Sequence, residues 1–515
     1  MVSCVYTGVL TGLNAHKVTV EVDINNSLPN VVIVGLPDAA VSEAKERVRS
    51  AIKNSGYDFP AKKVTVNLAP ADIRKEGSGY DLPIAIGIIS ANGILNCEKF
   101  ENYAFLGELS LDGSLRSVTG VLPLVYGLKE VGVTKIIVPF DNGKEAALVQ
   151  GVEVYPARHL TDVVNHFTDD AERAKPLDII HFDINEYMES QNVDYPYDFK
   201  DVKGQLKAKK AMEIAAAGGH NILMSGPPGS GKTLLAKCFS TILPPPSPDE
   251  AIELTKIYSI SGLIDANHPL ITKRPFRTVH HTASSVGIIG GGSNPKPGEI
   301  TLAHRGILFL DEIVEFPRPV LEVLRQPLED GEIVISRAQT SIKYPAKFIL
   351  VGAMNPCPCG YYGDKEKECT CTEFQIQRYR SKMSGPLLDR IDIQVEVPRL
   401  KTDELIGKGL EGESSAEIKK RVVKARNIQL NRYKDYGIYT NSELTPKLIK
   451  KFCKLDGDCE NLLKLAGKKF NLSGRGYDRL LKLARTIADL DGSEDIKVSH
   501  ISQSLQYKNF VENNP

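Results

Sequence analysis

Gly226-Pro227-Pro228-Gly229-Ser230-Gly231-Lys232-Thr233 is the stretch on which the fold turns, with the spacing G-x-x-x-x-G-K-[ST]. The apolar Asn221–Met224 precedes it, as a strand should, and Leu234–Leu243 continues it as a helix. A strand that runs through such a turn into a helix aims backbone N–H groups, and the positive end of the helix, at one point. That point suits phosphate oxygens. Lys232 is placed to reach the β- and γ-phosphates of a nucleotide and Thr233 to ligate Mg²⁺. The plain alternative, a glycine turn carrying an exposed lysine, leaves the flanking strand and helix unexplained.

Hydrolysis of a nucleotide also needs a carboxylate for the metal and a group that polarises water. Gly306-Ile-Leu-Phe-Leu-Asp311-Glu312 offers both at the end of an apolar strand. Asp311 is the expected Mg²⁺ partner and Glu312 the expected base. An apolar run ending in Asp-Glu is common by itself, and it gains meaning from the phosphate loop upstream.

The rest of the chain surrounds these two strings. With 515 residues, 42% of them hydrophobic and 25% charged, it is long enough for several folding units and unlike a disordered chain. Lys+Arg and Asp+Glu both number 64, so any surface for nucleic acid must be local. There is no run of 18 apolar residues and no secretion-signal layout at Met1–Leu10, which excludes a membrane span and leaves the nine cysteines in the cytoplasm.

Up to Phe167, runs that read as strands (Lys17–Ile24, Asn30–Val34, Lys63–Leu68, Tyr103–Leu106, Lys135–Val138) alternate with helical stretches at Asp38–Asn54, Asp81–Ala91 and Leu122–Val131. An α/β layered domain over 1–167 is expected. Residues 161–200 carry three positive and ten negative charges, net −7, so 168–197 reads as a solvated acidic linker. A second α/β region spans 198–400. Residues 401–515 are helical and net +6, with Ser414 and Glu417 at capping-box spacing and Ile418, Val422 and Ala425 on one face.

Longer strings carry a family resemblance: DFKDVKGQ (Asp198–Gln205), AAAGGH (Ala215–His220), PFRTVHHTASSVGIIGGGSNPKPGE (Pro275–Glu299), LAHRGILFLDE (Leu302–Glu312) and NPCPCGY (Asn355–Tyr361). They resemble the magnesium-chelatase-like AAA+ ATPases of the YifB/ComM family over nearly the whole length. The resemblance implies a P-loop αβα core with a C-terminal helical lid, and a ring, expected to be a hexamer, with ATP at subunit boundaries. It also assigns roles. Asn355 resembles sensor 1, which orients the lytic water. Arg390 resembles the finger given to the neighbouring subunit, and Arg475 resembles sensor 2, with Arg479 one turn later as its competitor. Glu332–Pro345 reads as a hairpin, which in related motors lines the pore, so Arg337 and Lys343 are candidate DNA contacts. Gly287–Pro297 reads as a second insertion. Adjacent His280 and His281 are expected to pack or hydrogen-bond rather than hold a metal.

Cys357-Pro-Cys359 and Cys369-Thr-Cys371 bring four thiols close in sequence. Structural Zn²⁺ is the leading expectation, ahead of free thiols or a redox pair. Near the N-terminus, Lys75–Asp81 and Gly107–Arg116 resemble the proteolytic domain of Lon-type proteases, which use a Ser–Lys dyad. Ungapped matching puts Gly79 and Leu122 where the Ser and Lys belong, with Ser78 and Lys129 nearby but displaced. A catalytically inactive domain is therefore expected. For function, the ComM-like resemblance implies an ATP-driven DNA motor for branch migration. Alternatives are the ATPase subunit of a chelatase, from which the Lon-like region sets this chain apart, and a protein remodeller. Lys419–Arg421, Lys424, Arg426 and Arg432 in the lid are compatible with phosphate contact.

Overall fold

Asn14–Asn25 buries every second residue of its middle, with Val18, Val20 and Val22 fully enclosed, as a strand with one face on a core must. In a computed structural model, which describes residues 2–191, 195–292, 296–336, 341–400, 412–469 and 472–508, this strand belongs to a seven-stranded mixed sheet. Its spatial order is Asn30–Val34, Lys63–Ala69, Asn14–Asn25, Ser3–Thr11, Tyr103–Phe105, Lys135–Pro139 and Glu153–Ala157. Ser3–Thr11 pairs antiparallel with Asn14–Asn25 and parallel with Tyr103–Phe105. The helix Ala39–Asn54 starts where the Asp38 carboxylate accepts from Val41 N at 2.8 Å, and it buries Val41, Ala44, Val48, Ala51 and Ile52. The strands and helices expected here form, to within a few residues at their ends; Ser3–Thr11 and Glu153–Ala157 are additions.

By contacts the chain divides into two units, Met1–Gln191 with Ser247–Thr272, and Asn192–Pro246 with Lys273–Pro515. The inserted piece of the first unit lies after the phosphate-loop helix in sequence. Its helix Pro248–Ile260 opens on a Ser247/Glu250 capping box, and Ala251, Ile252 and Leu270 join the core around Leu122, Leu124 and Val125. The Ser259 hydroxyl donates to the buried Glu145, which also accepts from Leu122 N at 3.1 Å. The acidic stretch is packed in part: Ile180 bridges Val154, and Phe182, Ile184, Tyr187 and Met188 lie against the same core. Charge counts hid these apolar anchors.

The second unit is built on five parallel strands in the order Phe276–Val279, Ile307–Leu310, Ile349–Met354, Ile222–Ser225 and Ile393–Glu396. All four residues of Ile307–Leu310 are buried, which is what a parallel strand covered on both faces requires. Helices Leu206–Gly218, Lys232–Ile242, Ser415–Tyr433 and Gly474–Leu490 pack in this unit, and the Ser414/Glu417 capping box forms as expected. The order places the C-terminal ends of Ile222–Ser225, Ile307–Leu310 and Ile349–Met354 side by side. In open α/β sheets, ligands bind outside those ends.

Candidate active site

Three strands deliver the site. Ile222–Ser225 runs into the phosphate loop, where a Cβ on Gly226 would sit 2.1 Å from the Val397 carbonyl, so only glycine fits. Gly231 (φ +91°) opens the helix Lys232–Ile242. Gln205 braces the loop from behind, its amide donating to Ser230 O (3.4 Å) and Pro398 O (2.6 Å).

The Lys232 ammonium donates to the carbonyls of Gly226 (2.7 Å) and Pro227 (3.0 Å) and to Asn355 Oδ1 (3.3 Å). Burial pulls its pKa down to about 8, against the pull of the Asp311 and Glu312 carboxylates. Thr233 Oγ1 donates to Asp311 Oδ2 at 3.0 Å, and Glu312 N donates to Asp311 Oδ1 at 3.0 Å. Two hard oxygen ligands side by side suit Mg²⁺. Glu312 itself turns away from the strand with φ +49°. Lys232, Thr233, Asp311, Glu312 and Asn355 thus lie together.

His281 Nδ1 faces Glu312 Oε2 at 3.6 Å, with the His280 ring centroid 4.2 Å from its own and tilted by 33°. Packing or hydrogen bonding is what the sequence leads one to expect of both, and His280 Nδ1 lies 2.8 Å from Thr282 Oγ1. The proximity to Glu312 arises because Phe276–Val279 lies beside Ile307–Leu310, and no local signal announces it.

Arg390 and Arg475 are not bonded to the phosphate loop. They meet at one carboxylate: Arg390 Nη2 donates to Glu329 Oε2, and Arg475 Nη2 to Glu329 Oε1 at 2.9 Å. Arg479, the competitor, lies 3.8 Å from Asp392 and is mostly enclosed. Arg337 falls outside the described residues. Lys343 is described, on the hairpin Glu332–Ser336/Ser341–Pro345, and pairs with Glu332 at 2.8 Å.

Three arginines of the lid are engaged within the unit, while many of its lysines stay exposed. Arg421 pairs with Glu213 and Glu413, Arg426 is buried on the Ala216 and Ala217 carbonyls, and Arg432 clamps Asp489 at 2.6 and 2.9 Å. Compatibility with phosphate contact, expected of the whole basic set, therefore does not extend to these three arginines, whose guanidiniums have protein partners. Lys420 and Lys424 remain exposed.

Cys357, Cys359, Cys369 and Cys371 converge, their Sγ atoms all within 4.8 Å of one another. The 357–359, 357–369 and 359–369 separations are 3.3, 3.7 and 3.6 Å, too long for a disulfide. A tetrahedral Zn–S₄ centre asks for about 3.8 Å. Backbone N–H groups of Tyr362 (to Cys357) and Cys359 (to Cys371) point at sulfur, as they do around thiolates. The residues therefore fit a zinc ion.

In the first unit Ser78 is bonded to Glu108, and Lys129 donates to Gln150 O at 2.6 Å. Lys75 is buried and donates to the Pro70 carbonyl, while Leu122 is enclosed in the core. No Ser–Lys pair forms from these residues.

Comparison with known proteins follows the same division. Family models match residues 198–405 (magnesium chelatase, subunit ChlI), 412–508 (magnesium chelatase, subunit ChlI C-terminal) and 20–142 (subunit ChlI of Mg-chelatase). The chain is 43% identical to competence protein ComM of Haemophilus influenzae over 98% of its own length and 97% of that protein. It is also 43% identical to the uncharacterized protein YifB of Escherichia coli, over 98% and 97% respectively. Lon protease 2 of Bacillus subtilis matches at 30% over 32% of this chain and 33% of that protein. The match at 20–142 corrects the expectation that the N-terminal region sets the chain apart from chelatase subunits.

Proposed function

For this chain, which belongs to the ComM/YifB family of magnesium-chelatase-like AAA+ ATPases, we propose a ring-forming DNA motor that spends ATP on branch migration of recombination intermediates. The observation that carries the ring-forming ATPase in this reading is the division of the ATPase parts between two places. Lys232, Thr233, Asp311, Glu312 and Asn355 form one cluster, and the guanidiniums of Arg390 and Arg475 form another at Glu329. Among the described residues no arginine is bonded to the first cluster, and an arginine supplied by a neighbouring subunit makes turnover depend on assembly.

In this reading Lys232 and the loop N–H groups bind the triphosphate. Thr233 and Asp311 would hold Mg²⁺, which when bound neutralises phosphate charge. Glu312 polarises the attacking water and takes its proton, Asn355 orients that water, and Arg390 with Arg475 meets the negative charge that develops on the neighbour's γ-phosphate. The four cysteines hold a structural zinc. The hairpin 332–345, with Arg337 and Lys343, is the proposed DNA grip. The similarity to a protein named for competence, maintained end to end, favours DNA as the partner.

A second reading, the ATPase subunit of a chelatase, is favoured by the three matched family models. Turnover and strand exchange measured on duplex, single-stranded, forked and four-way DNA separate the two. ATPase unmoved by every DNA, with no strand exchange, rejects the motor; dependence on a porphyrin-binding partner establishes the second reading instead.

A further inference from the structure

Glu329 sits on the short helix Arg325–Asp330, exposed, and its two carboxylate oxygens are each taken by a different arginine. Those arginines come from distant parts of the chain. Arg390 follows the turn Gly385–Leu388, where its Nη1 also donates to Pro386 O at 2.7 Å, and Arg475 lies in the first turn of Gly474–Leu490. The two differ in freedom: the Arg390 side chain is 10% exposed, that of Arg475 63%. Arg390 Nε is buried and has no hydrogen-bond partner, so its guanidinium is not fully satisfied by the contacts it makes. Arg390 and Arg475 also hold the Glu329 carboxylate below its ordinary range.

Two guanidiniums brought together repel each other unless an anion lies between them. One carboxylate oxygen for each sets both side chains on a common point, which is the geometry a phosphoryl group with several charged oxygens needs. We propose that Glu329 is a positioning residue for ATP hydrolysis across the subunit boundary: it keeps Arg390 and Arg475 together as a preassembled pair and yields them to the γ-phosphate of the neighbouring protomer. The inference rests on the reading of Arg390 as a finger given in trans. It adds that a residue touching neither nucleotide nor water governs the rate.

The physical reason for a rate effect is preorganisation. A long exposed side chain such as Arg475 has many rotamers, and the carboxylate selects one before the neighbour arrives. Because Glu329 acts only through the arginines, it leaves nucleotide capture by the phosphate loop alone.

The test uses full-length protein with Glu329→Ala, Glu329→Gln, Arg475→Ala and the Glu329→Ala/Arg475→Ala double variant. Expected are a kcat about tenfold lower in Glu329→Ala, an intermediate value in Glu329→Gln (which keeps one acceptor oxygen), and no further loss when Glu329→Ala is added to Arg475→Ala. ATP affinity of Glu329→Ala and Glu329→Gln, measured with turnover blocked by Glu312→Gln, and their thermal midpoints are expected to match the parent protein. Wild-type kcat in Glu329→Ala overturns the proposal, as does a full second loss in the double variant. Arg390→Ala distinguishes the two layers. If that variant turns over normally, the trans-finger reading itself has failed; if it is inactive while Glu329→Ala is normal, only the role of Glu329 has failed.

Discussion

Raising the pH from 7 to 9 should loosen the nucleotide from the phosphate loop. Burial brings the Lys232 ammonium down to about 8, and binding of a triphosphate calls for the charged form. The sign follows from linkage: the bound phosphate holds the proton on and so raises the pKa, and affinity is full below the free value and falls as pH climbs past it. With a free value of about 8 the charged fraction drops from about 0.9 at pH 7 to about 0.1 at pH 9, and the dissociation constant rises about tenfold. A lysine at the ordinary value of about 10.4 would change by only a few per cent over the same range. Phosphate loses its last proton near pH 6, so its own ionisation does not produce the loss. The assay is calorimetric titration of ATP into Glu312→Gln protein, which removes turnover, in buffers of different ionisation enthalpy to count the protons taken up. A flat affinity between pH 7 and 9, with no proton uptake, refutes the assignment of a depressed lysine to the phosphate site.

Glu312→Gln itself is expected to retain ATP while kcat falls about a hundredfold or more, read by nucleotide retention beside turnover; near-normal turnover removes Glu312 as the base. Purified protein is expected to contain one zinc per chain, lost in Cys369→Ser together with thermal stability, and less than about half a zinc by elemental analysis rejects the site. Asp489→Ala strips a buried carboxylate from Arg432, Arg485 and Asn441 and should cost about 3–5 kcal/mol in denaturant unfolding. A loss under about 1 kcal/mol would mean the arginines find other partners. Lys343→Ala and Arg337→Ala should weaken DNA-stimulated turnover and leave basal ATPase intact; unchanged DNA affinity and translocation in both variants end the hairpin's proposed role.

What could be read from the sequence was local chemistry. The phosphate loop and the Asp311-Glu312 strand end declare themselves because their residues do their work within one turn of chain. The cysteine pairs declare themselves in the same way. Helix Ser415–Tyr433 was legible through its cap and its single apolar face. Glu329 and His281 were not, since neither carries a signal until sheet order and helix packing bring Arg390, Arg475 and Glu312 to them. Net charge was silent on the partners of Arg421, Arg426 and Arg432, because a count cannot tell an arginine facing water from one such as Arg426 that caps buried carbonyls. Ser3–Thr11 went unseen as a strand: Gly8 interrupts its β-branched residues, and three consecutive buried positions, Thr7 to Val9, break the alternation.

Because Ala251, Ile252 and Leu270 complete the core around Leu122 and Leu124, no single cut yields both halves of this protein whole. A gene fragment ending at residue 167 or 197 would leave that apolar surface facing water, and one beginning at 198 would carry the helix Pro248–Ile260 stripped of its seat. During synthesis the earlier half stays unfinished until Thr272 has cleared the ribosome, well after the nucleotide-binding turn has emerged. Maturation of the two halves is thereby interlocked, and an expression strategy that treats them as beads on a string is expected to recover aggregates.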